Sequence, residues 1–259
     1  MAFVDRAGVR IYWRSDGHPG APPVLLSNSL GTDCAFWDPV MPQLAEHFHV
    51  IRMDTRGHGA SEAPPGPYSM KLLADDTLAV ADAAGLRAFA FAGVSMGGCI
   101  GMHLAINHPQ RLTRLMLCNT AASFPAPVFE QRIATVQAGG MAAIEEAVLQ
   151  RFFTAAFLAH NPPVVASIRS TLLRLDPVGY IGCCGAVRDA DFESELGSIG
   201  TPTLILVGDH DQSTPPERGR ALAAAIPGAR IASLPVAHLA HPEQPSAFIQ
   251  LAVPFLQGK

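Results

Sequence analysis

The chain has 259 residues, 49% of them hydrophobic and 15% charged, with a net charge of −4. A chain of this length can bury about three quarters of the surface it would expose unfolded, so it fits one α/β domain with an insertion or two small domains. The mild negative charge offers no basic face to nucleic acid or anionic lipid, and an anionic ligand would need a local cation in its pocket.

Asp5 and Arg6 fall where an export signal would carry its apolar core, which predicts a cytoplasmic location. Cys34, Cys99, Cys118, Cys183 and Cys184 show no C-x-x-C spacing and read as buried, reduced thiols. In chain order, Val9–Arg14 alternates as a strand, and Val24–Ser27 is a short buried strand leading into the polar loop Asn28-Ser29-Leu30-Gly31-Thr32. The spacing then predicts a helix over Phe36–Phe48 broken by Pro39 and Pro42, a strand over Val50–Met53 and a long helix over Tyr68–Leu86. Between the last two lies Asp54–Ser61, in which Asp54 and Arg56 read as a structural brace bonded to nearby backbone.

The stretch Ala88–Ile106 has no charged residue over nineteen positions, long enough to suggest a membrane span. Its four glycines, and the change midway from strand-like to helix-like spacing, identify it instead as a buried strand, turn and helix. At the turn stands Gly93-Val94-Ser95-Met96-Gly97, a G-x-S-x-G sequence in the setting that lifts a serine hydroxyl clear of a sheet at a helix N-terminus. There, free N–H groups favour developing negative charge, and the N–H of Met96 becomes a candidate oxyanion donor.

After the strand Leu112–Cys118 the alternation stops. From Phe124 to about Leu196 only amphipathic helical windows appear, near Val128–Gln137, Met141–Phe153 and Pro163–Leu173. This predicts a helical cap at 123–196, inserted into a core formed by 1–122 and 197–259. The strand–helix pattern then resumes with Thr203–Val207, Pro216–Ile226, Arg230–Leu234 and Pro245–Gln257.

A serine nucleophile needs a base, and the base needs an orienting carboxylate. Strand Thr203–Val207 ends in Gly208-Asp209-His210-Asp211, where Asp211 is favoured over Asp209 for its freer reach. Strand Arg230–Leu234 runs into His238, with His241 as its competitor. The candidate catalytic set is therefore Ser95, Asp211 and His238. His47, His49, His103, His108 and His160 read as structural residues at helix ends or on helix faces. No metal-ligand spacing and no nucleotide-binding glycine motif is present, so neither a metal nor a cofactor is expected.

The whole chain resembles the α/β-hydrolase superfamily. The likeness rests on GVSMGG at Gly93–Gly98, DTRGHGASEAP at Asp54–Pro64, GDHD at Gly208–Asp211 and AHLAHPEQP at Ala237–Pro245. Within it the chain is similar to the 3-oxoadipate enol-lactonases, through LSNSLGTD at Leu26–Asp33, LCNTAA at Leu117–Ala122 and GYIGCCGAVRDAD at Gly179–Asp191. The resemblance implies a mostly parallel sheet flanked by helices, the same Ser95, Asp211 and His238, and oxyanion donors at Leu30 and Met96. It also implies a small lactone or ester as substrate, turned over in aromatic degradation; the charge and the reading of Ala88–Ile106 already lead to the expectation of no nucleic acid or membrane partner. Phe129 and Phe152 stand where that group usually carries tryptophan, which leaves a carboxylesterase, a ring-cleavage C–C hydrolase, a perhydrolase-type haloperoxidase or a ligand-sensing homologue as alternatives. The implied substrate is a carboxylate, for which Arg132 and Arg188 are the candidate partners.

Overall fold

The computed structural model describes residues 2–259. Its strands are β1 (Ala2–Arg6), β2 (Val9–Asp16), β3 (Pro23–Ser27), β4 (His49–Met53), β5 (Phe89–Val94), β6 (Leu112–Cys118), β7 (Thr203–Gly208) and β8 (Arg230–Leu234). They form one sheet in the order β1-β2-β4-β3-β5-β6-β7-β8, antiparallel at β1/β2 and β2/β4 and parallel from β4 through β8. Every residue of β4, β5 and β7 is buried, as expected of parallel strands covered by helices on both faces.

The helices of the first half are α1 (Met41–His47), α2 (Met70–Ala83) and α3 (Met96–Asn107). Between β6 and β7 come α4 (Ala126–Gly139), α5 (Glu145–Phe152), α6 (Ala155–Ala159), α7 (Pro163–Arg174) and α8 (Pro177–Arg188). The chain closes with α9 (Pro216–Ala225), α10 (Ala240–Glu243) and α11 (Pro245–Gln257). Among the described residues, no helix is long and apolar enough to cross a membrane.

Several expectations need correction. Phe36–Phe48 is not one helix: a 3₁₀ segment, Cys34–Val40, precedes α1, whose first turn accommodates Pro42. α2 begins at Met70 rather than Tyr68, because the Ser69 side chain caps it by accepting from Leu72 N–H at 3.1 Å. β1 was not anticipated, and it pairs with β2 through the turn at Ala7 and Gly8, both at positive φ. α8 was not anticipated as a helix either. Its glycines lower helix propensity, but two of them permit close packing, of Gly179 on Gly57 and of Gly182 on the Tyr68 ring.

The sheet order places a crevice at its centre. β3 lies beside β5, yet the chain leaves β3 toward β4 on one side and leaves β5 toward β6 on the other. Open α/β sheets form their sites where connections diverge in this way. Ser27 pairs with Gly93 across the two strands, so Leu30 and Met96 each lie three residues past a matched pair, on the two loops that flank the crevice.

Candidate active site

Ser95 joins β5 to α3 with φ 54° and ψ −113°. Such a conformation costs a residue with a Cβ about 1–3 kcal/mol and persists only where its surroundings impose it. Here they do. Ser95 N–H donates to Cys118 O at 2.9 Å, while its own carbonyl accepts from Gly98 N–H, Cys99 N–H and the Thr120 hydroxyl. The elbow's glycines are required by packing: a Cβ on Gly97 would lie 2.6 Å from Ser27 O, and one on Gly93 would strike Gly97 O. From Phe89 to Met102, Ser95 alone is not buried.

Ser95, Leu30 and His238 line one cavity of about 560 Å³. His238 Nδ1 lies 2.8 Å from Asp211 Oδ2. Asp211 is buried and fully engaged: Ser213 and Thr214 N–H donate to Oδ1 at 2.8 and 3.0 Å, and the Thr214 hydroxyl and Asn119 Nδ2 donate to Oδ2 at 2.7 and 3.0 Å. Burial by itself would raise the Asp211 pKa, but the adjacent His238 and these hydrogen bonds outweigh it and hold the carboxyl below its ordinary value. An ionised Asp211 can only accept, so His238 donates to it from Nδ1, and Nε2 is the ring nitrogen left free of that pairing.

Among the described residues, neither Leu30 N–H nor Met96 N–H donates to a protein acceptor. The loops that carry them are tied together by Gly97 N–H, which donates to Asn28 O at 3.1 Å. Two free backbone donors thus lie on adjoining loops, one of them directly after Ser95.

The alpha/beta hydrolase fold family model matches residues 22–245. The chain belongs to the α/β-hydrolase family. It is 33% identical to 3-oxoadipate enol-lactonase 2 of Acinetobacter baylyi over 93% of this chain and 90% of that one. It is 29% identical to a putative carbamate hydrolase, RutD, of Agrobacterium fabrum over 95% and 96%. Among solved structures, the enol-lactonase of Burkholderia xenovorans LB400 is 40% identical, with a TM-score of 0.97 and coverage of 99% of this chain and 100% of that one. The protein is a hydrolase with an eight-stranded, mostly parallel α/β-hydrolase sheet.

In this α/β-hydrolase the competitors of Asp211 and His238 lie apart from the pair. Asp209 is exposed, with its N–H on Leu234 O. His241 is buried, stacked on Trp37 at 4.2 Å and bonded through Nε2 to Phe36 O, and burial pushes its pKa down to about 3. His49 lies on β4 rather than on a helix, and bonds to Ser15 Oγ. The brace around Asp54 is partly as expected: Asp54 accepts from Cys34 and Ala60 N–H. Arg56 instead makes a buried two-point pair with the Asp76 carboxylate, at 2.7 Å in both arms.

The two arginine candidates also separate. Arg132 lines the cavity that holds Ser95. Arg188 does not: it grips Asp189 at 2.7 and 2.9 Å and borders a surface depression with Pro65 and Val178. Arg151, which sequence reading missed, lines the cavity beside Arg132. Burial and then the charge of Arg132 lower its pKa. Neither Arg132 nor Arg151 meets a carboxylate among the described residues. Phe152 lies over the His238 ring at 5.9 Å, and Phe129 sits beneath the Arg132 guanidinium at 5.0 Å. Among the described residues, no three His, Cys, Asp or Glu side chains are grouped as metal ligands.

Proposed function

We propose that the protein hydrolyses 3-oxoadipate enol-lactone to 3-oxoadipate through an acyl-enzyme on Ser95. The observation that carries this reading is the composition of the cavity wall around Ser95 and His238. It includes Arg132, Arg151 and Arg218 but a single acid, Glu217. Arg218 is engaged with Ser123 O, which leaves Arg132 and Arg151 as two guanidinium groups with no carboxylate partner among the described residues, beside Phe129, Val148 and Phe152. A substrate with a carboxylate some distance from its reacting carbonyl fits such a cavity better than a neutral ester does. The likeness to the two enol-lactonases supports the same choice.

In the proposed reaction, Ser95 Oγ attacks the lactone carbonyl while His238 Nε2 takes its proton. Asp211 stabilises the imidazolium through Nδ1. The tetrahedral oxyanion lies between Leu30 N–H and Met96 N–H, each contributing on the order of 2.7–4 kcal/mol of barrier. Collapse breaks the ring C–O bond and releases an enolate, which takes the proton back from His238 Nε2 and tautomerises to the 3-oxo group, so the ring does not re-close and His238 is again a free base. Water, deprotonated by His238, then adds to the acyl carbonyl and frees Ser95. In this reading residues 123–196 cap the site, with Arg132 and Arg151 holding the distal carboxylate.

The test compares 3-oxoadipate enol-lactone with p-nitrophenyl acetate, using wild type and Ser95→Ala. The reading expects the lactone to win in kcat/KM by several orders of magnitude, and Ser95→Ala to lose both activities. Turnover of the aryl ester alone would retain the serine chemistry and overturn the lactone as substrate.

A further inference from the structure

His58 lies in the loop after β4, 1% exposed, and takes no part in the chemistry proposed above. Its Nε2 accepts a hydrogen bond from Gly31 N–H at 3.0 Å. The opposite ring nitrogen, Nδ1, is 3.3 Å from Arg56 O, which fixes the tautomer with the proton on Nδ1 and the lone pair on Nε2. Burial pushes the His58 pKa down to about 4, so the ring is neutral around pH 7 and able to accept.

Gly31 is the residue directly after Leu30. Upstream, the loop is fastened at both ends of Asn28: Asn28 O accepts from Gly97 N–H, Asn28 Nδ2 donates to Met53 O, and its Oδ1 accepts from Trp37 Nε1. Ser29 O accepts from Thr32 N–H and from the Thr32 hydroxyl. Downstream, the fastening of the Leu30–Gly31 peptide is His58. Gly31 has φ +91°, so this peptide plane turns sharply out of line with its neighbour and needs a partner to fix its rotation. The adjoining Ser29–Leu30 peptide, which carries Leu30 N–H, has its carbonyl held by Thr32 and shares Leu30 Cα with this one, so His58 and Thr32 together fix the direction of Leu30 N–H.

The other side of His58 is held by the helical insertion. Cys183 Sγ, on α8, donates to Arg56 O at 3.4 Å and lies 3.9 Å from His58 Nδ1. Gly57 and Gly179 meet backbone to backbone: a Cβ on Gly57 would lie 2.5 Å from Gly179 Cα. The loop Arg56–His58 is therefore clamped between α8 and the loop bearing Leu30.

We infer that His58 is a positioning residue for the oxyanion site, holding Leu30 N–H in its productive direction by accepting from Gly31 N–H. This rests on the reading of Leu30 N–H as an oxyanion donor. Without the acceptor, Gly31 N–H is buried and unpaired, and the peptide rotates in search of a partner. Leu30 N–H then loses its alignment with the oxyanion, while the substrate's ground-state contacts elsewhere in the cavity remain. The consequence is a loss in kcat with little change in KM.

The experiment uses p-nitrophenyl acetate as substrate and a trifluoromethyl ketone, whose hemiketal with a serine carries an oxyanion, as probe. The enzymes are wild type, Ser95→Ala, His58→Leu, His58→Asn and His58→Gln. Gln places an amide oxygen where Nε2 stood, Asn is too short to do so, and Leu has no acceptor. The expected result is a fall in kcat of about 10–100-fold for His58→Leu and His58→Asn, less than the 10²–10³-fold of an oxyanion donor removed outright. KM should stay within about threefold. Trifluoromethyl ketone affinity should fall in parallel with kcat, and His58→Gln should recover most of both. If His58→Leu does not fold, the comparison of His58→Asn with His58→Gln carries the same contrast. Equal losses in His58→Asn and His58→Gln, or a fall in kcat with ketone affinity unchanged, would overturn the role of His58. If Ser95→Ala retains turnover, the serine reading fails instead. If Ser95→Ala is inactive and His58→Leu is unimpaired, only the role of His58 fails.

Discussion

The sheet's loops and the helical insertion build the two halves of one cavity in opposite ways. On the sheet side the groups that hold Ser95, Asp211 and the loop at Asn28 are committed, while the N–H groups of Leu30 and Met96 are left free among the described residues. Asp211 accepts from four donors besides His238, Ser95 is held in a strained conformation by its neighbours, and Asn28 is fastened at three atoms. On the insertion side the wall includes Phe124, Val128, Phe129, Val148, Phe152 and Tyr180, with Arg132 and Arg151 left without a carboxylate partner among those residues. A committed network keeps its geometry through a reaction cycle, whereas uncommitted cations in an apolar wall are available to a ligand. Under the proposed function, this difference would give chemistry to the sheet and choice of substrate to the insertion.

Breaking the sheet side should therefore abolish turnover for every substrate. Ser95→Ala is expected to cost on the order of 10⁶-fold in kcat. Asp211→Asn is expected to cost about 10⁴-fold, because an amide in that position no longer enforces the Nδ1–H tautomer of His238. Steady-state kinetics on the lactone and on p-nitrophenyl acetate would check both. Equal proportional losses on the two substrates are the signature of a chemical rather than a recognition defect.

Breaking the insertion side should discriminate between substrates. Arg132→Met and Arg151→Met are each expected to raise KM for the lactone about 10–100-fold, the worth of one charge-assisted hydrogen bond, and to leave p-nitrophenyl acetate nearly untouched. Parallel losses on both substrates would remove these arginines from carboxylate recognition. Gly179→Ala probes the seam between the halves. Its Cβ would strike Gly57 backbone, and an overpacked contact of this kind costs about 1–3 kcal/mol, readable as a lowered Tm.

The same division governs what was legible in the sequence. The stretch around Ser95 could be read directly, because a central parallel strand is a continuous apolar run and its turn tolerates only glycine at the contact positions. Asp211 could be placed at the end of the apolar run β7, and His238 after the next strand, β8. The reason for preferring Asp211 was nevertheless reversed: it does not reach outward but turns inward, drawn by Ser213 and Thr214 N–H, while Asp209 stays exposed. Asn119 and His58 were not legible as partners of the site, since their contacts join loops far apart in the chain, nor was Arg151, which reaches the cavity from α5 across the insertion. Arg188 carried a usable warning, an aspartate immediately beside it. Arg56 carried none, because its partner Asp76 lies a helix away. The helices α6 and α8 escaped because one is a single short turn-like segment and the other is broken up by glycines that serve contacts with the core.

The smallest expected effect is on stability against pH, and it contrasts two buried carboxylates on the sheet side. Asp211 has its pKa lowered in the folded protein, while burial raises that of Asp54 despite its two backbone donors. For Asp211 the unfolded chain takes up the proton first as pH falls. Its stabilising share is full above the unfolded value, near 3.9, and is lost as pH falls from there through the lower folded value. For Asp54 the folded protein takes up the proton first. Its cost is full above the raised folded value and is relieved as pH falls from that value toward about 3.9. Urea unfolding of wild type, Asp211→Asn and Asp54→Asn across this range should resolve the two. Wild type loses its advantage over Asp211→Asn below about pH 4, and improves relative to Asp54→Asn in the adjoining window above it. Drift of both gaps in the same direction would mean that one of the two signs is wrong. A gap that stays flat for Asp211→Asn would mean that its hydrogen bonds do no more than offset its burial, leaving orientation of His238 as its sole contribution.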